Sequence, residues 1–286
     1  MPQQESAKTC KTRQMTLTHI LPTETDLRHY FLARYGDVRR HGWRVRLQYR
    51  FGYFDPESWY ELVVDRLVTP RCSWIDVGGG KSIFPHNTSL AETLCRRAAL
   101  VVGVDPSDNI RENNLVHERA QCKIEDYRTE RTFDLVTMRM VAEHIQEPEA
   151  VVTSLARLVR RGGKVVVYTP NRWSPVSLAA SLLPFWLHHP ITNLLWGSKE
   201  EDVFPTVYKM NTRKRLRYLF ENGGFKEVAF AHLDNCSMFQ RWRMSCFLEF
   251  FVWRMFRMVE LGYPENNLLG VYENCGTVDY FCKHIH

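Results

Sequence analysis

Residues 73–82, Ser-Trp-Ile-Asp-Val-Gly-Gly-Gly-Lys-Ser, constrain this chain more than any other stretch. A short apolar run carries one acid, Asp76, and then breaks into Gly78, Gly79 and Gly80. Such a run, closed by a glycine turn, predicts a buried parallel strand feeding a tight turn. Glycines without a Cβ let the backbone approach a ligand, and a helix starting soon after offers unpaired N–H groups. Three nucleotide-binding patterns compete for this turn. The phosphate-loop pattern ends correctly at Gly80-Lys81-Ser82, but its first glycine falls on Ile75. The dinucleotide pattern Gly-x-Gly-x-x-Gly fits Gly78 and Gly80, but its third glycine falls on Ile83. The pattern Asp-x-Gly-x-Gly is complete, as Asp76, Gly78 and Gly80.

The segments after the turn narrow the choice. Leu90 to Ala98 reads as a helix, and Leu100 to Val104 as a second apolar strand running into Asp105-Pro106. Ligands of parallel sheets bind at the carboxyl ends of the strands, where an acid can accept hydrogen bonds from ribose hydroxyls. A third short strand is expected near Ala120 to Ile124, running into Glu125, and a fourth at Phe133 to Met138. The next helix carries Val151, Leu155, Leu158 and Val159 on one face and is expected to end at Gly162-Gly163. Strand five, Lys164 to Thr169, is stopped by Pro170. Alternating strands and helices of this kind predict an α/β fold with a doubly wound parallel sheet.

The segments WIDVGGG, VVGVDPS, KIEDY, FDLVTMRMVAEHIQEP and LVRRGGKVVVYTPN together resemble the successive motifs of class I S-adenosylmethionine-dependent methyltransferases, in their type 11 branch. The resemblance covers roughly residues 50–235. It implies a Rossmann-like, mostly parallel seven-stranded sheet with helices on both faces, and S-adenosylmethionine as cofactor. On that resemblance Asp76, Gly78, Gly79 and Gly80 meet the methionine end of the cofactor. Asp105 and Pro106 stand at the ribose, Ile124 and Glu125 flank the adenine, and Met138 lines the floor. Where relatives often place an acid before the adenine strand ends, this chain has Cys122-Lys123. His144, just past strand four, is the first candidate for the base that accepts a hydroxyl proton, and the competing reading makes it a support of the cofactor pocket.

The remaining segments are read from composition. Residues 1–20 are polar and form the expected tail, without a secretory signal. Residues 21–70 interleave arginines with aromatics, which suits either a nucleic-acid grip or a helical cap over the cofactor cleft; the cap is the expectation. Within it, Glu57 to Val68 is an amphipathic helix stopped by Pro70. Residues 71–286 make the catalytic domain. Its insertion at 171–210 is rich in Trp, Leu and Phe, the composition of a lid or of a segment that dips into a membrane surface. From it Asn171, Trp186, His188 and Tyr208 are the candidates for binding substrate. Thr212 caps a helix with Leu216, Leu219 and Phe220 inward; residues 226–234 give strand six; 238–261 form an amphipathic helix; and Thr277 to Cys282 is the expected closing strand, antiparallel to the others.

The 286 residues suit one elaborated domain, and the net charge of +6 permits an acidic partner without requiring one. Eight scattered cysteines without a Cys-x-x-Cys pair predict reduced thiols, a cytoplasmic setting and no metal site. The expected function is therefore methylation of a hydroxyl on a small or lipid-linked acceptor, with peripheral membrane contact as an option and nucleic acid disfavoured. C-methylation of a quinone- or prenyl-type lipid is the alternative within the enzyme class; a non-catalytic cofactor-binding or RNA-associated protein is the alternative outside it.

Overall fold

A computed structural model describes residues 20–175, 205–236, 242–260 and 263–276. Seven strands form one sheet in the order β3-β2-β1-β4-β5-β7-β6, from β1 (Ser73–Val77), β2 (Leu100–Val104), β3 (Glu118–Ala120), β4 (Phe133–Arg139), β5 (Val159–Pro170), β6 (Phe225–Asp234) and β7 (Glu265–Asn274). The first five run parallel, whereas β7 is antiparallel to both β5 and β6. The mostly parallel, doubly wound sheet is thus the one expected from the sequence.

The strands alternate because both faces are covered. Ile75, Val77, Val102, Val104, Val165 and Val167 point to one side, where α5 (Pro148–Leu158) and α6 (Arg213–Asn222) deliver Val151, Leu155, Leu216 and Phe220. Trp74, Val101 and Val166 point to the other, against Tyr60, Val63 and Val64 of α3 (Pro56–Leu67) and Leu94 of α4 (Thr88–Arg97). Such two-sided burial requires near-continuous apolar strands, so one acid inside β1 is conspicuous.

Local signals set most helix ends. Thr23 and Asp26 form a capping box on α1 (Glu24–Tyr35), Asp55 caps α3 ahead of Pro56, and the Thr212 side chain accepts from the Arg215 N–H as expected. Two helices complete the set among the described residues: α2 (Trp43–Phe51), and α7 (Arg243–Met258), which lies inside the expected span of 238–261. Helix α2 packs on α7 through Trp43, Leu47 and Phe51, so the N-terminal cap is bolted to the C-terminal part of the chain. Helix α3, expected within that cap, packs on the sheet through Tyr60, Val63 and Val64.

Four expected boundaries move. The helix before β5 ends at Leu158, since Val159 is extended (φ −90°, ψ 124°) and pairs with Phe133; the two glycines lie inside the strand, at a register shift. Strand β3 stops at Ala120, and residues 123–127 turn back with the Tyr127 N–H on the Lys123 carbonyl. Helix α7 begins five residues later than expected, at Arg243. The closing antiparallel strand is Glu265–Asn274; its Asn-rich ends conceal an inner run in which Leu268, Leu269, Val271 and Tyr272 are buried. Residues 277–282, where the strand was expected, lie outside the described residues, as do Trp186 and His188.

Candidate active site

Strand β1 ends by driving Asp76 into the sheet. Its neighbour across the pair with β4 is Thr137. The Trp74 indole N–H donates to the Thr137 hydroxyl (2.7 Å), which donates in turn to Asp76 Oδ1 (2.7 Å). The second oxygen, Oδ2, is buried and has no hydrogen-bond partner. Burial pushes the Asp76 carboxyl up to about 7. An orphaned carboxylate oxygen of this kind is costly unless a ligand meets it.

The glycine turn is shaped around that oxygen. Gly78 has φ +71°, and a Cβ there would stand 2.2 Å from Val141 Cγ2. A Cβ on Gly79 would stand 2.0 Å from Asp76 Oδ2 itself. Gly80 is clamped at both ends: its N–H donates to Asp105 Oδ2 (3.0 Å), and its carbonyl accepts from Asn113 Nδ2 (3.1 Å). Asp105 Oδ1 accepts from the Ser107 N–H (2.8 Å). The structure therefore gathers Asp76, Gly78, Gly79, Gly80 and Asp105 into one constellation at the carboxyl ends of β1 and β2. Asn113 and Thr137, both fully buried, complete it and were not anticipated.

Other candidates fall elsewhere. Pro106 is exposed, Ile124 is buried, and Glu125 sits half-buried in the turn after β3. Met138, the residue assigned to the floor, is fully buried in the core between Val77 and Val167. The pleat explains this, because Thr137 faces Asp76 and the next residue must face the opposite side. Asn171 spends its side chain on backbone, donating to the Glu265 carbonyl (3.2 Å) and accepting from the Trp173 N–H (3.1 Å).

A second constellation stands where β4 and β5 end. Buried Glu143 accepts from the Thr169 hydroxyl (2.8 Å), which itself accepts from Asn211 Nδ2 (2.6 Å). Burial raises the Glu143 carboxyl above its ordinary range. Its carbonyl receives the N–H groups of Val207 (2.7 Å) and Tyr208 (3.2 Å), the latter at φ +50°, which ties the return of the insertion to the turn after β4. His144 comes next in the chain. Its Nδ1 is 3.3 Å from the Pro205 carbonyl oxygen and its Nε2 is 4.0 Å from Glu143 Oε1. Of the two, only the Pro205 contact is within hydrogen-bond reach, so Nε2 is the ring nitrogen left to another partner.

Beside it a cleft of about 480 Å³ opens between the cap and the carboxyl edge, lined among others by Arg44, Gln48, His86, Arg139, Met140 and Tyr168. Arg139 pairs with Glu57 (3.0 Å), while Arg34, on the far wall, pairs with the fully buried Glu61 (3.1 Å). Among the described residues, neither the Gln48 amide nor the Tyr168 hydroxyl makes a hydrogen bond, although both residues are buried. Glu61 also accepts from Asn87 Nδ2 (3.0 Å) and from the Tyr30 hydroxyl, which fastens α1 to the loop after the glycines. His144 does not line this cleft; it stands a short turn beyond Met140.

A family model described as a methyltransferase domain matches residues 26–229. The ubiquinone biosynthesis O-methyltransferase of Nitrosomonas europaea is 37% identical over 108 residues, which is 34% of this chain and 43% of that protein. The enzyme of the same name from Xanthomonas euvesicatoria is 27% identical over 195 residues, 56% of this chain and 79% of its own length. A Haloferax volcanii methyltransferase solved with the Trm112 methyltransferase activator shares the fold, with a TM-score of 0.50 at 13% identity over 86% of this chain and 98% of that chain.

Proposed function

This chain belongs to the methyltransferase domain family as an S-adenosylmethionine-dependent, class I member, and on that premise we propose that it methylates a hydroxyl group of a small acceptor, free or lipid-linked. When bound, S-adenosylmethionine supplies an electrophilic methyl group on a sulfonium. Two observations support the fit of the residues to that donor. The buried Oδ2 of Asp76 lacks a partner, and a cationic ligand end would satisfy it. The glycine turn presents bare backbone where a side chain would collide. Asp105 keeps acceptor capacity on both oxygens after its two backbone bonds, enough for ribose hydroxyls. Ile124 and Glu125 are the residues assigned to the adenine, at the turn beyond β3.

The chain's own residues then have two tasks. Alignment of donor and acceptor carries most of the barrier reduction, up to roughly 7–11 kcal/mol. A neutral hydroxyl must also lose a proton as it is methylated, and His144 is the group assigned to take it. The observation that carries this reading is the Pro205 carbonyl 3.3 Å from Nδ1, which can accept an N–H there and leave Nε2 to take the proton, with the Glu143 carboxyl 4.0 Å away to offset the charge gained. Glu143 acts as a positioning residue, held by Thr169 and Asn211. The reacting hydroxyl belongs where the cleft meets the turn at 142–144. Methylation at oxygen rather than carbon is supported by the names of the relatives.

His144→Gln tests the assignment. It is expected to lower turnover on a catechol- or phenol-type acceptor by about 10²-fold or more. Donor affinity, measured by calorimetry, is expected to stay within about twofold of the native chain. Loss of donor binding in that variant would instead make His144 a support of the pocket.

A further inference from the structure

Helix α7 carries an outward face that a helix in water does not ordinarily have. Its inward side, Cys246, Glu249, Phe250 and Trp253, is buried against the cap and the end of β6. On a surface helix the opposite side is normally polar. Here that side is Met244, Leu248, Phe251, Val252, Met255 and Met258, with exposures of 78, 60, 47, 37, 43 and 69%. Alternating steps of four and three residues from Met244 to Met258 keep five of these on a single stripe along the helix, with Val252 beside it. No charge interrupts the stripe. An exposed apolar strip of this length marks an interaction surface.

The charges of the helix say what covers it. Arg243 and Arg254 fall on one flank of the stripe, while Arg257 turns inward over the Trp253 ring (5.2 Å). Among the described residues none of the three is in an ion pair. The one acid within the helix, Glu249, is 5% exposed and lies on the inner side. Helix α2, packed alongside, adds exposed Arg46 and Arg50, likewise without ion pairs among the described residues. A second copy docked by a twofold axis would bring this basic flank against its own like, with no exposed acid within the helix to offset it. A bilayer with anionic headgroups matches both parts of the surface, since its acyl boundary takes the stripe and its phosphates take the arginines. The helix has 16 residues, and among the described residues no helix is long and apolar enough to cross a membrane, so α7 lies in the surface plane.

We propose that α7 is a docking helix for an anionic membrane surface, with the stripe from Met244 to Met258 in the acyl boundary and Arg243 and Arg254 at the phosphates. This stands apart from the choice of methyl acceptor, because none of these side chains lies in the constellations described above. The probes are vesicles of phosphatidylcholine alone and vesicles containing about one third phosphatidylglycerol, with binding read by flotation. The native chain is expected to float with the anionic vesicles and to be released by high salt. Arginine near an anionic surface strengthens binding by roughly fivefold per residue, so R243Q/R254Q is expected to weaken it by about 25-fold. L248Q/F251Q/M255Q is expected to abolish flotation with unchanged donor affinity and only a small change in melting temperature, because glutamine keeps the helix propensity and these side chains are about half exposed. Absence of native binding to anionic vesicles would overturn the proposal. So would a large fall in melting temperature for L248Q/F251Q/M255Q, which would mean that protein covers the stripe, whether residues 176–204 or a second copy. Sedimentation velocity separates those two.

Discussion

Along the carboxyl edge of the sheet, the half over β1 and β2 and the half over β4 and β5 are made from different materials. Over β1 and β2 the surface is mainly backbone: three glycines, two carboxylates and the amides that the carboxylates hold. Over β4 and β5 it is side chain, with Arg139, Tyr168, Glu143 and His144 joined by Gln48 and Arg44 from the cap. Backbone geometry leaves little room for substitution, whereas side chains can be exchanged one at a time. The first half therefore suits a ligand that stays the same from turnover to turnover, and the second suits choosing among acceptors. The difference also predicts how each half fails.

The largest effect is expected at Gly79. Gly79→Ala places a Cβ where Asp76 Oδ2 stands, 2.0 Å away, so the turn or the acid must move. Donor affinity is expected to fall by about a hundredfold or more, equivalent to roughly 3 kcal/mol, by calorimetry. Near-native affinity would show that the backbone half is more forgiving than its geometry implies. The side-chain half is next. Glu61→Ala strands Arg34 and unfastens α1, and is expected to cost about 2–3 kcal/mol in chemical denaturation, less than for a wholly buried pair because Arg34 is 18% exposed. Its loss should leave donor affinity nearly unchanged if the cap serves the acceptor. Asp105→Ala removes a charged acceptor worth about 1.5–3 kcal/mol and is expected to weaken the donor by roughly tenfold or more.

Asp76 adds a pH signature to the same half. Its folded carboxyl titrates near 7, against 3.8 as the ordinary value, because burial disfavours the charge. Between those two values the native chain keeps a proton that the unfolded chain has lost. The stabilising contribution of this group is therefore full at acid pH, declines as pH rises from about 4 to 7, and is level above that. A cationic ligand reverses the preference, so donor affinity is expected to rise by about tenfold between pH 6 and 8. Asp76→Asn should flatten that rise. The smallest effect belongs to Gly80→Ala. Its φ of +48° is tolerable for alanine at about 1–2 kcal/mol, and the added Cβ meets nothing closer than 3.8 Å. A loss of donor affinity beyond that strain would mark the space beside Gly80 as occupied by the donor.

The two halves also differ in how far the sequence disclosed them. Strands 73–77 and 100–104, the Thr212 cap and the inward Leu216, Leu219 and Phe220 were legible because each arises from neighbours within a few residues. So was the meeting of Asp76, Gly80 and Asp105, since a parallel crossover brings successive strand ends together. Thr137 and Asn113 were hidden because their partners come from other strands and loops, and one threonine or asparagine reads like any other. The Glu61 network was hidden for the same reason: its members at 30, 34, 61 and 87 share no local pattern. Met138 could have been placed by counting the pleat from Thr137, which sends it to the other face. The closing strand was missed because buried asparagines at 266, 267 and 274 crowd a short apolar run, Leu268 to Tyr272, that would otherwise read as a two-sided buried strand.

The phenol of Tyr53 accepts from the Cys236 N–H at 2.9 Å, a contact between residues 183 positions apart. Leu47, Phe250 and Trp253 close around it. During synthesis Tyr53 leaves the ribosome long before its partner exists. At about 5–20 residues per second the interval is roughly 10–40 s. For that time the aromatic surface of α2 has no wall to close against, whereas β1, β2 and β4 can already pair. The nascent chain can thus set its glycine turn and fasten α1 through Glu61 before α2 meets α7, so a protein halted before residue 236 would carry a formed glycine loop under a half-closed roof.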